Sequence, residues 1–228
     1  MSKMTTIINK KALNPNHVYT KVKLKGTREV AEIYDRALPE NTFREMQNNF
    51  YNVPFPWYLE PKDRSKGNYY ESPLDNYEIT DHTQFNHLFY HVNQRRAGWS
   101  DFTPWIDPVL NILHPRAWFR VKSNYVARGH KPGISRGWHY DASGTLDTKA
   151  DELLLKSKKG NPPHPDFKIA VLYLNTNNGY TMLETDDKVE SIENRLVIFP
   201  NKILHTAILQ TDTPHRMLIN MVFLPYLS

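Results

Sequence analysis

The sequence contains no cysteine, and this absence excludes several kinds of protein. Disulfide frameworks, thiolate zinc sites, iron–sulfur clusters and cysteine nucleophiles all require that residue. No segment approaches the roughly 18 consecutive apolar residues that a membrane span needs. The N-terminal segment also lacks the apolar stretch of a signal peptide. We therefore expect a cytoplasmic protein with no membrane partner.

A large excess of charge of one sign is also missing. Lys and Arg number 29 against 24 Asp and Glu, which leaves a formal net charge of +5. This small excess gives only weak support to a nucleic-acid partner. A chain of 228 residues can bury a core without disulfides or a structural metal. We expect a single domain over residues 1–228, with residues 1–116 as a supporting region and residues 117–226 as the core.

The supporting region is predicted to be helical and irregular. A first helix begins near Pro39, carries an apolar stripe at helical spacing, and ends before Pro54. A second helix is predicted after Asp81, which forms a capping-box pattern with Gln84. The residues of its apolar stripe are Phe85, Leu88, Phe89 and Val92. A third helix is predicted between Thr103 and Pro115.

From Trp118 onward, the apolar residues alternate with a period of two, which is typical of β-strands. The predicted strands are Trp118–Val126, Gly137–Ala142, Phe167–Leu174, Tyr180–Thr185, Arg195–Phe199, His205–Gln210 and Arg216–Leu224. Short strands with turns and no helices between them favour an antiparallel sandwich or jelly roll. Residues 146–166 interrupt this pattern and are predicted to be a surface loop of the kind that often acts as a lid.

Four residues of the strand-rich region suggest a metal site. His139 and Asp141 form an H-x-D pattern on one predicted strand, so their side chains share a face and can bind one ion. His205 begins a later strand, and Arg216 begins the last one. Two imidazoles and one carboxylate are the ligand set of non-haem Fe(II) oxygenases, and they leave other positions of the metal open. Arg216 offers a planar set of donors that can bind a carboxylate in bidentate fashion.

Other histidines are rivals for these positions. His87 and His91 are four residues apart on the predicted second helix, but the apolar stripe turns them toward solvent. His164-Pro165-Asp166 repeats the H-x-D pattern within the predicted loop, which favours a chance match. His215 directly precedes Arg216, so it points to the opposite face of the last strand.

The order of these motifs resembles the 2-oxoglutarate- and Fe(II)-dependent dioxygenases, and within them the prolyl-hydroxylase-like branch. The resemblance covers roughly residues 117–224. The segments that carry it are Gly137 to Asp141, Val171 to Asn175, Asn194 to Pro200 with the following His205, and His215-Arg216.

The resemblance implies a mainly β fold, a double-stranded β-helix (jelly roll, cupin-like) supported by α-helices from the N-terminal half. It implies that His139, Asp141 and His205 bind Fe(II) and that Arg216 binds the distal carboxylate of 2-oxoglutarate. Tyr125 and Tyr173 fall where related enzymes place tyrosines near this cosubstrate. The implied reaction consumes O2, releases succinate and CO2, and hydroxylates an unactivated C–H bond.

Two other functions are compatible with the same residues. A cupin-like fold can serve as a binding module without turnover. Zinc held by the same three ligands can activate a water molecule for hydrolysis. Arg216 disfavours the hydrolase, because hydrolysis gives no reason for a deep carboxylate-binding group. The sequence does not identify the substrate, which we expect to be a small molecule or a peptide.

Overall fold

The computed structural model describes residues 4–5, 7–51, 54–60, 73–74, 77–79, 83–92, 98–142 and 166–227. The predicted loop at residues 146–166 therefore lies outside the described residues, except for Asp166. In the described part of the chain, the helical segments are α1 Glu40–Tyr51, a 3-10 turn Thr103–Trp105 and α2 Asp107–Leu110.

Strands make up most of the regular structure. They are β1 Met4–Thr5, β2 Ile7–Ile8, β3 Val18–Lys23, β4 Val30–Asp35, β5 Tyr58–Leu59, β6 Glu78–Ile79, β7 Gln84–His91, β8 Leu113–His114, β9 Ala117–Ala127, β10 Ile134–Ser135, β11 Lys168–Tyr173, β12 Tyr180–Leu183, β13 Lys188–Glu190, β14 Leu196–Pro200, β15 His205–Ile208, β16 His215–Leu224 and β17 Tyr226–Leu227.

Two larger sheets organise these strands. An eight-stranded antiparallel sheet has the order β3-β4-β14-β11-β16-β9-β7-β5. A five-stranded sheet has the order β13-β12-β15-β10-β6, in which only β10 and β6 run parallel. Neighbouring strands in both sheets are often distant in sequence, as in a jelly roll rather than a simple meander.

The central strand β16 separates two environments. Its odd-numbered residues, Met217 to Phe223, join a buried core that also contains Phe43 and Met46 of α1. Its even-numbered residues face the other way, because side chains alternate across a strand. Arg216, Leu218 and Asn220 consequently line a cavity on the side of the five-stranded sheet.

The predicted first helix is confirmed as α1. Phe43, Met46, Gln47 and Phe50 are buried, which is the spacing of one helical face. The Phe43 amide donates to the Pro39 carbonyl at 2.9 Å, so the first turn begins at the proline as the sequence predicts. Packed against the outer face of the large sheet, α1 covers the side that does not face the cavity.

The predicted second helix is wrong: residues 84–91 form strand β7, which pairs with β9. Both faces of β7 are partly covered, so apolar residues occur on both and their spacing imitates a helical stripe. A register shift between Leu88 and Tyr90 disturbs the alternation further. Asp81, the expected helix cap, lies outside the described residues.

The other differences also lie in the first half of the chain. The third predicted helix is reduced to the 3-10 turn and the single turn of α2. The region expected to be helical and irregular also contributes β3 and β4 to one edge of the large sheet. None of the helices in the described residues has the length and apolar character needed to cross a bilayer.

His87 lies inside an aromatic cluster, and its expected exposure to solvent is wrong. Its ring nitrogens lie 2.8 Å from the Ser100 hydroxyl and 3.0 Å from the Pro56 carbonyl. Its ring centroid is 4.9 Å from that of Phe55 and 4.7 Å from that of Phe89. Burial lowers the pKa of His87, so the folded chain favours the neutral imidazole.

The substitution His87→Ala should lower the free energy of unfolding by about 2 kcal/mol, because it leaves a cavity and removes the imidazole partner of the Ser100 hydroxyl and the Pro56 carbonyl. The exposed His114→Ala serves as the control and should change it by less than about 0.5 kcal/mol. The stability that neutral His87 contributes is present above its ordinary pKa of about 6.5 and is lost at lower pH. Urea unfolding should therefore show the difference between wild type and His87→Ala shrinking on acidification, and a growing difference contradicts this assignment.

Candidate active site

A cavity of about 350 Å³ lies between the two larger sheets. Its wall is mostly polar or charged and draws residues from both sheets. The lining residues are Glu60, Gln84, Arg120, Lys122, Asn124, Arg136, His139, Tyr140, Asp141, Val171, Thr181, His205, Ala207, Arg216, Leu218 and Asn220. The three residues that the sequence predicts to bind a metal, and Arg216, therefore share one cavity.

His139, Asp141 and His205 come together at one end of β15. His205 begins this strand, and His139 pairs with it through an isolated antiparallel bridge. Each residue donates its backbone N–H to the other's carbonyl, at 3.0 and 3.2 Å. The side chains then offer one ligand atom each, and all three atoms lie within 4.8 Å of one another. A single ion can contact all three residues.

Backbone carbonyls orient the two imidazoles. The Nδ1 atom of His139 lies 3.0 Å from the Gly137 carbonyl oxygen, and Nδ1 of His205 lies 3.4 Å from the Ile203 carbonyl oxygen. Both Nε2 atoms point toward Asp141, at 3.9 Å for His139 and 3.4 Å for His205. A proton held on Nδ1 leaves Nε2 as the metal-binding atom.

The charge states of the buried groups suit a cation. Burial, aided by the nearby His205, lowers the pKa of His139 to about 4, so its imidazole is neutral at physiological pH. Burial alone would raise the pKa of Asp141, but the Arg120 guanidinium and the two histidines outweigh it and hold the pKa well below its ordinary value. The cluster therefore presents a neutral imidazole at His139 and an ionised carboxylate at Asp141.

Arg120 and Asn220 hold the Asp141 carboxylate. The Arg120 guanidinium donates to Oδ1 of Asp141, and the Asn220 amide donates to Oδ2 at 2.8 Å. Arg120 also lies 3.3 Å from the Asn220 side-chain oxygen. Sequence reasoning missed both residues. The available signal was the alternation of β16, which places Asn220 on the same face as Arg216.

Arg216 is completely buried, with an exposed fraction of 0%. Its Nη2 donates to the Thr181 hydroxyl at 3.1 Å, and its guanidinium carbon lies 5.4 Å from the centre of the Tyr173 ring. Its Nε and Nη1 have no hydrogen-bond partner among the described residues. Burial lowers the pKa of Arg216. A buried guanidinium with unpaired donors is costly by itself and suits an anionic ligand.

Comparison with known proteins finds similar solved structures. A 2OG-Fe(II) oxygenase family oxidoreductase from Burkholderia pseudomallei has a TM-score of 0.50 and 9% identity, over 85% of this chain and 84% of that one. A Pseudomonas putida prolyl-4-hydroxylase has a TM-score of 0.42 and 13% identity, over 92% and 94%. HygX from Streptomyces hygroscopicus, solved with nickel and 2-oxoglutarate bound, has a TM-score of 0.47 and 8% identity, over 86% and 82%. No protein-family model matches the sequence, and no curated protein matches it.

The chain has the fold of a 2OG-Fe(II) oxygenase. The mainly β jelly roll expected from the sequence is therefore confirmed. At identities this low the likeness concerns the fold, and the chemistry must come from the residues in the cavity.

Within this oxygenase fold, the two tyrosines predicted near the cosubstrate have different positions. Tyr173 is buried beneath Arg216, and its hydroxyl lies 2.8 Å from that of Thr181. Tyr125 does not line the cavity. It pairs with Met217 on the opposite face of the sheet, and its ring stacks on His215 with a centroid distance of 5.1 Å. The expected contact between Tyr125 and a cosubstrate conflicts with this register.

Two other histidines, His215 and His164, were rivals for the metal-binding positions. His215 lies on the face of β16 opposite to Arg216, as the sequence predicts, and its Nε2 is 3.2 Å from the Tyr51 hydroxyl. It is not part of the three-residue cluster. His164 and Pro165 of the second H-x-D pattern lie outside the described residues.

Because Arg216 is buried with unpaired donors, we expect Arg216→Met to leave the free energy of unfolding of the metal-free chain unchanged or to raise it by about 1 kcal/mol. The matched control is Arg195→Met. Arg195 contacts both Asp35 oxygens at 2.5 and 3.0 Å, so its loss should destabilise the fold by about 1 to 2 kcal/mol. Urea unfolding measures both variants. A loss above about 2 kcal/mol in Arg216→Met contradicts a ligand-binding role for the free donors.

Proposed function

We propose that this chain is an Fe(II)- and 2-oxoglutarate-dependent oxygenase that hydroxylates an unactivated C–H bond of a small molecule or a peptidyl residue. The observation that carries the proposal is that three side chains able to hold a metal ion share one cavity with a buried, partly unpaired arginine. The oxygenase fold agrees with it.

The metal would be held by Nε2 of His139, Nε2 of His205 and the Asp141 carboxylate. This mixed nitrogen and oxygen set suits Fe(II), and three protein ligands leave other positions for small molecules. Arg120 and Asn220 fix the carboxylate, and backbone carbonyls fix the imidazoles. Iron in this site would supply the activation of O2 that couples decarboxylation of 2-oxoglutarate to hydroxylation, with release of succinate and CO2.

Arg216 would bind the distal carboxylate of 2-oxoglutarate. Its Nε and Nη1 are the unpaired donors, while Thr181 and the Tyr173 ring hold the guanidinium in place. Val171, Ala207 and Leu218 also line the cavity and offer apolar surface to the methylene groups of the cosubstrate. Burial strengthens a charge-assisted contact of this kind, because little water competes for the guanidinium.

Asp141 favours hydroxylation over halogenation. A halogenating site of this type replaces the carboxylate by a small residue and so makes room for halide on the metal. Here the carboxylate is present and both its oxygens are engaged. A zinc hydrolase remains the alternative that the metal ligands alone would allow. The buried Arg216 favours the oxygenase.

Replacing any one of the three ligands should abolish tight metal binding. We expect His139→Ala, Asp141→Ala and His205→Ala each to lower Fe(II) affinity by at least about 100-fold, because two ligands remain in place of three. His164→Ala, on the other H-x-D pattern, is the control and should bind normally. Anaerobic Fe(II) titration by calorimetry measures this. Normal affinity in Asp141→Ala, or loss in His164→Ala, contradicts the assigned ligands.

Arg216→Ala should weaken 2-oxoglutarate binding by roughly 100-fold while leaving Fe(II) affinity within about threefold of wild type. Arg216→Lys keeps the charge and should recover part of the loss. The charge-transfer absorption of the anaerobic Fe(II) and 2-oxoglutarate complex reports binding, and succinate formed after oxygen is admitted reports turnover. A chain that takes up zinc, shows no such absorption and forms no succinate contradicts the oxygenase and favours the hydrolase.

A further inference from the structure

The cavity holds a second cation that the proposed chemistry does not use. Lys122 lies on β9 between Arg120 and Asn124, and alternation places all three side chains on the cavity face of the strand. Arg120 is committed to Asp141. Lys122 has no hydrogen bond and no close ion pair with the described residues, and only longer-range attraction to the Glu60 and Asp141 carboxylates. Its ammonium group is therefore available to a ligand.

The register of the sheet places Lys122 close to the metal-binding cluster. Lys122 is directly opposite Asn220 on the neighbouring strand, and Asn220 holds the Asp141 carboxylate. Side chains opposite each other on antiparallel strands have Cβ atoms about 5 Å apart. Arg216, by contrast, is opposite Val126, further along the same pair of strands. Lys122 and Arg216 are therefore separate positive groups of one cavity.

The charges of the lining favour an additional anion. Among the described lining residues, Arg120, Lys122 and Arg216 stand against the carboxylates of Glu60 and Asp141, which leaves one positive charge in excess within this group. Bound Fe(II) and the dianionic 2-oxoglutarate would cancel each other and leave this positive excess in place. Burial and the repulsion of Arg120 lower the pKa of Lys122 to about 8 and outweigh the attraction of Glu60 and Asp141. An anionic group next to Lys122 would remove this imbalance.

Neighbouring groups favour a monoanion. Glu60 is a carboxylate on the same side of the cavity, fixed by the Gln84 amide, and it would repel a group of higher charge. Gln84 also donates to the Asn124 side-chain oxygen at 3.3 Å, which orients the Asn124 amide nitrogen as a further donor. One ammonium and one amide N–H suit a carboxylate better than a doubly charged phosphate.

We propose that Lys122 binds a carboxylate of the primary substrate, so that the substrate of this chain is a small carboxylic acid or a carboxylate-bearing residue. This inference rests on the proposed function, since the substrate must reach the metal beside 2-oxoglutarate. A cavity of about 350 Å³ is at the small end of ligand-binding sites, so only a compact part of the substrate enters it.

The test uses the full chain loaded with zinc, which occupies the metal site without turnover, and saturated with 2-oxoglutarate. The lysine amines are 13C-dimethylated and observed by NMR. The Lys122 signal is identified by its absence from the spectrum of Lys122→Arg. Titration with propionate should move the Lys122 signal saturably, and the neutral propionamide should not. The signal of Lys131, which pairs with Glu78 at the surface, is the internal control and should stay unchanged. A Lys122 signal that does not respond to propionate overturns the proposal.

A second measurement separates substrate binding from cosubstrate binding. Lys122→Met should weaken propionate binding by at least about tenfold and leave 2-oxoglutarate affinity within about twofold of wild type. A tenfold loss of 2-oxoglutarate affinity assigns Lys122 to the cosubstrate and overturns the proposal. A chain that binds no 2-oxoglutarate contradicts the proposed function instead. In that case the propionate titration of the zinc-loaded chain still decides whether Lys122 binds a carboxylate.

Discussion

The site depends on the alternation of side chains along β16. One face of this strand contributes Met217, Ile219, Met221 and Phe223 to the core beneath α1, and the other contributes Arg216, Leu218 and Asn220 to the cavity. Burial of the apolar face fixes the register, because a slip by one residue would place Arg216 among core side chains and expose a methionine to the cavity. The same packing therefore places the Arg216 guanidinium in the cavity and the Asn220 amide on Asp141.

The polar groups inside the cavity cost stability when no ligand is bound. Arg216 is fully buried with two unpaired donors, and Lys122 faces the cavity without an ion pair among the described residues. Such groups are costly unless a ligand pairs with them. The carboxylates of the cosubstrate and the substrate would pair with these two cations, so we expect both ligands to stabilise the chain. Apolar packing around α1 and β16 offsets the cost in their absence.

Much of this arrangement could be predicted from the sequence, because strands alternate with a fixed period. His205 and Arg216 begin clearly patterned strands, and the H-x-D spacing brings His139 and Asp141 together. Alternation along β16 already placed Asn220 on the face of Arg216, but Arg120 could not be identified, since its position beside Asn220 depends on the register between β9 and β16. The same register turns Tyr125 away from the cavity. Strand β7 imitates a helix because both its faces are covered.

Anomalous diffraction from crystals of the chain soaked with Mn(II) and 2-oxoglutarate under anaerobic conditions tests the central claim most directly. We predict one strong peak about 2.0 to 2.3 Å from Nε2 of His139, Nε2 of His205 and a carboxylate oxygen of Asp141. The distal carboxylate of 2-oxoglutarate should lie on Nε and Nη1 of Arg216. A peak elsewhere, a fourth protein ligand that closes the site, or a cosubstrate bound away from Arg216 would contradict the proposed oxygenase.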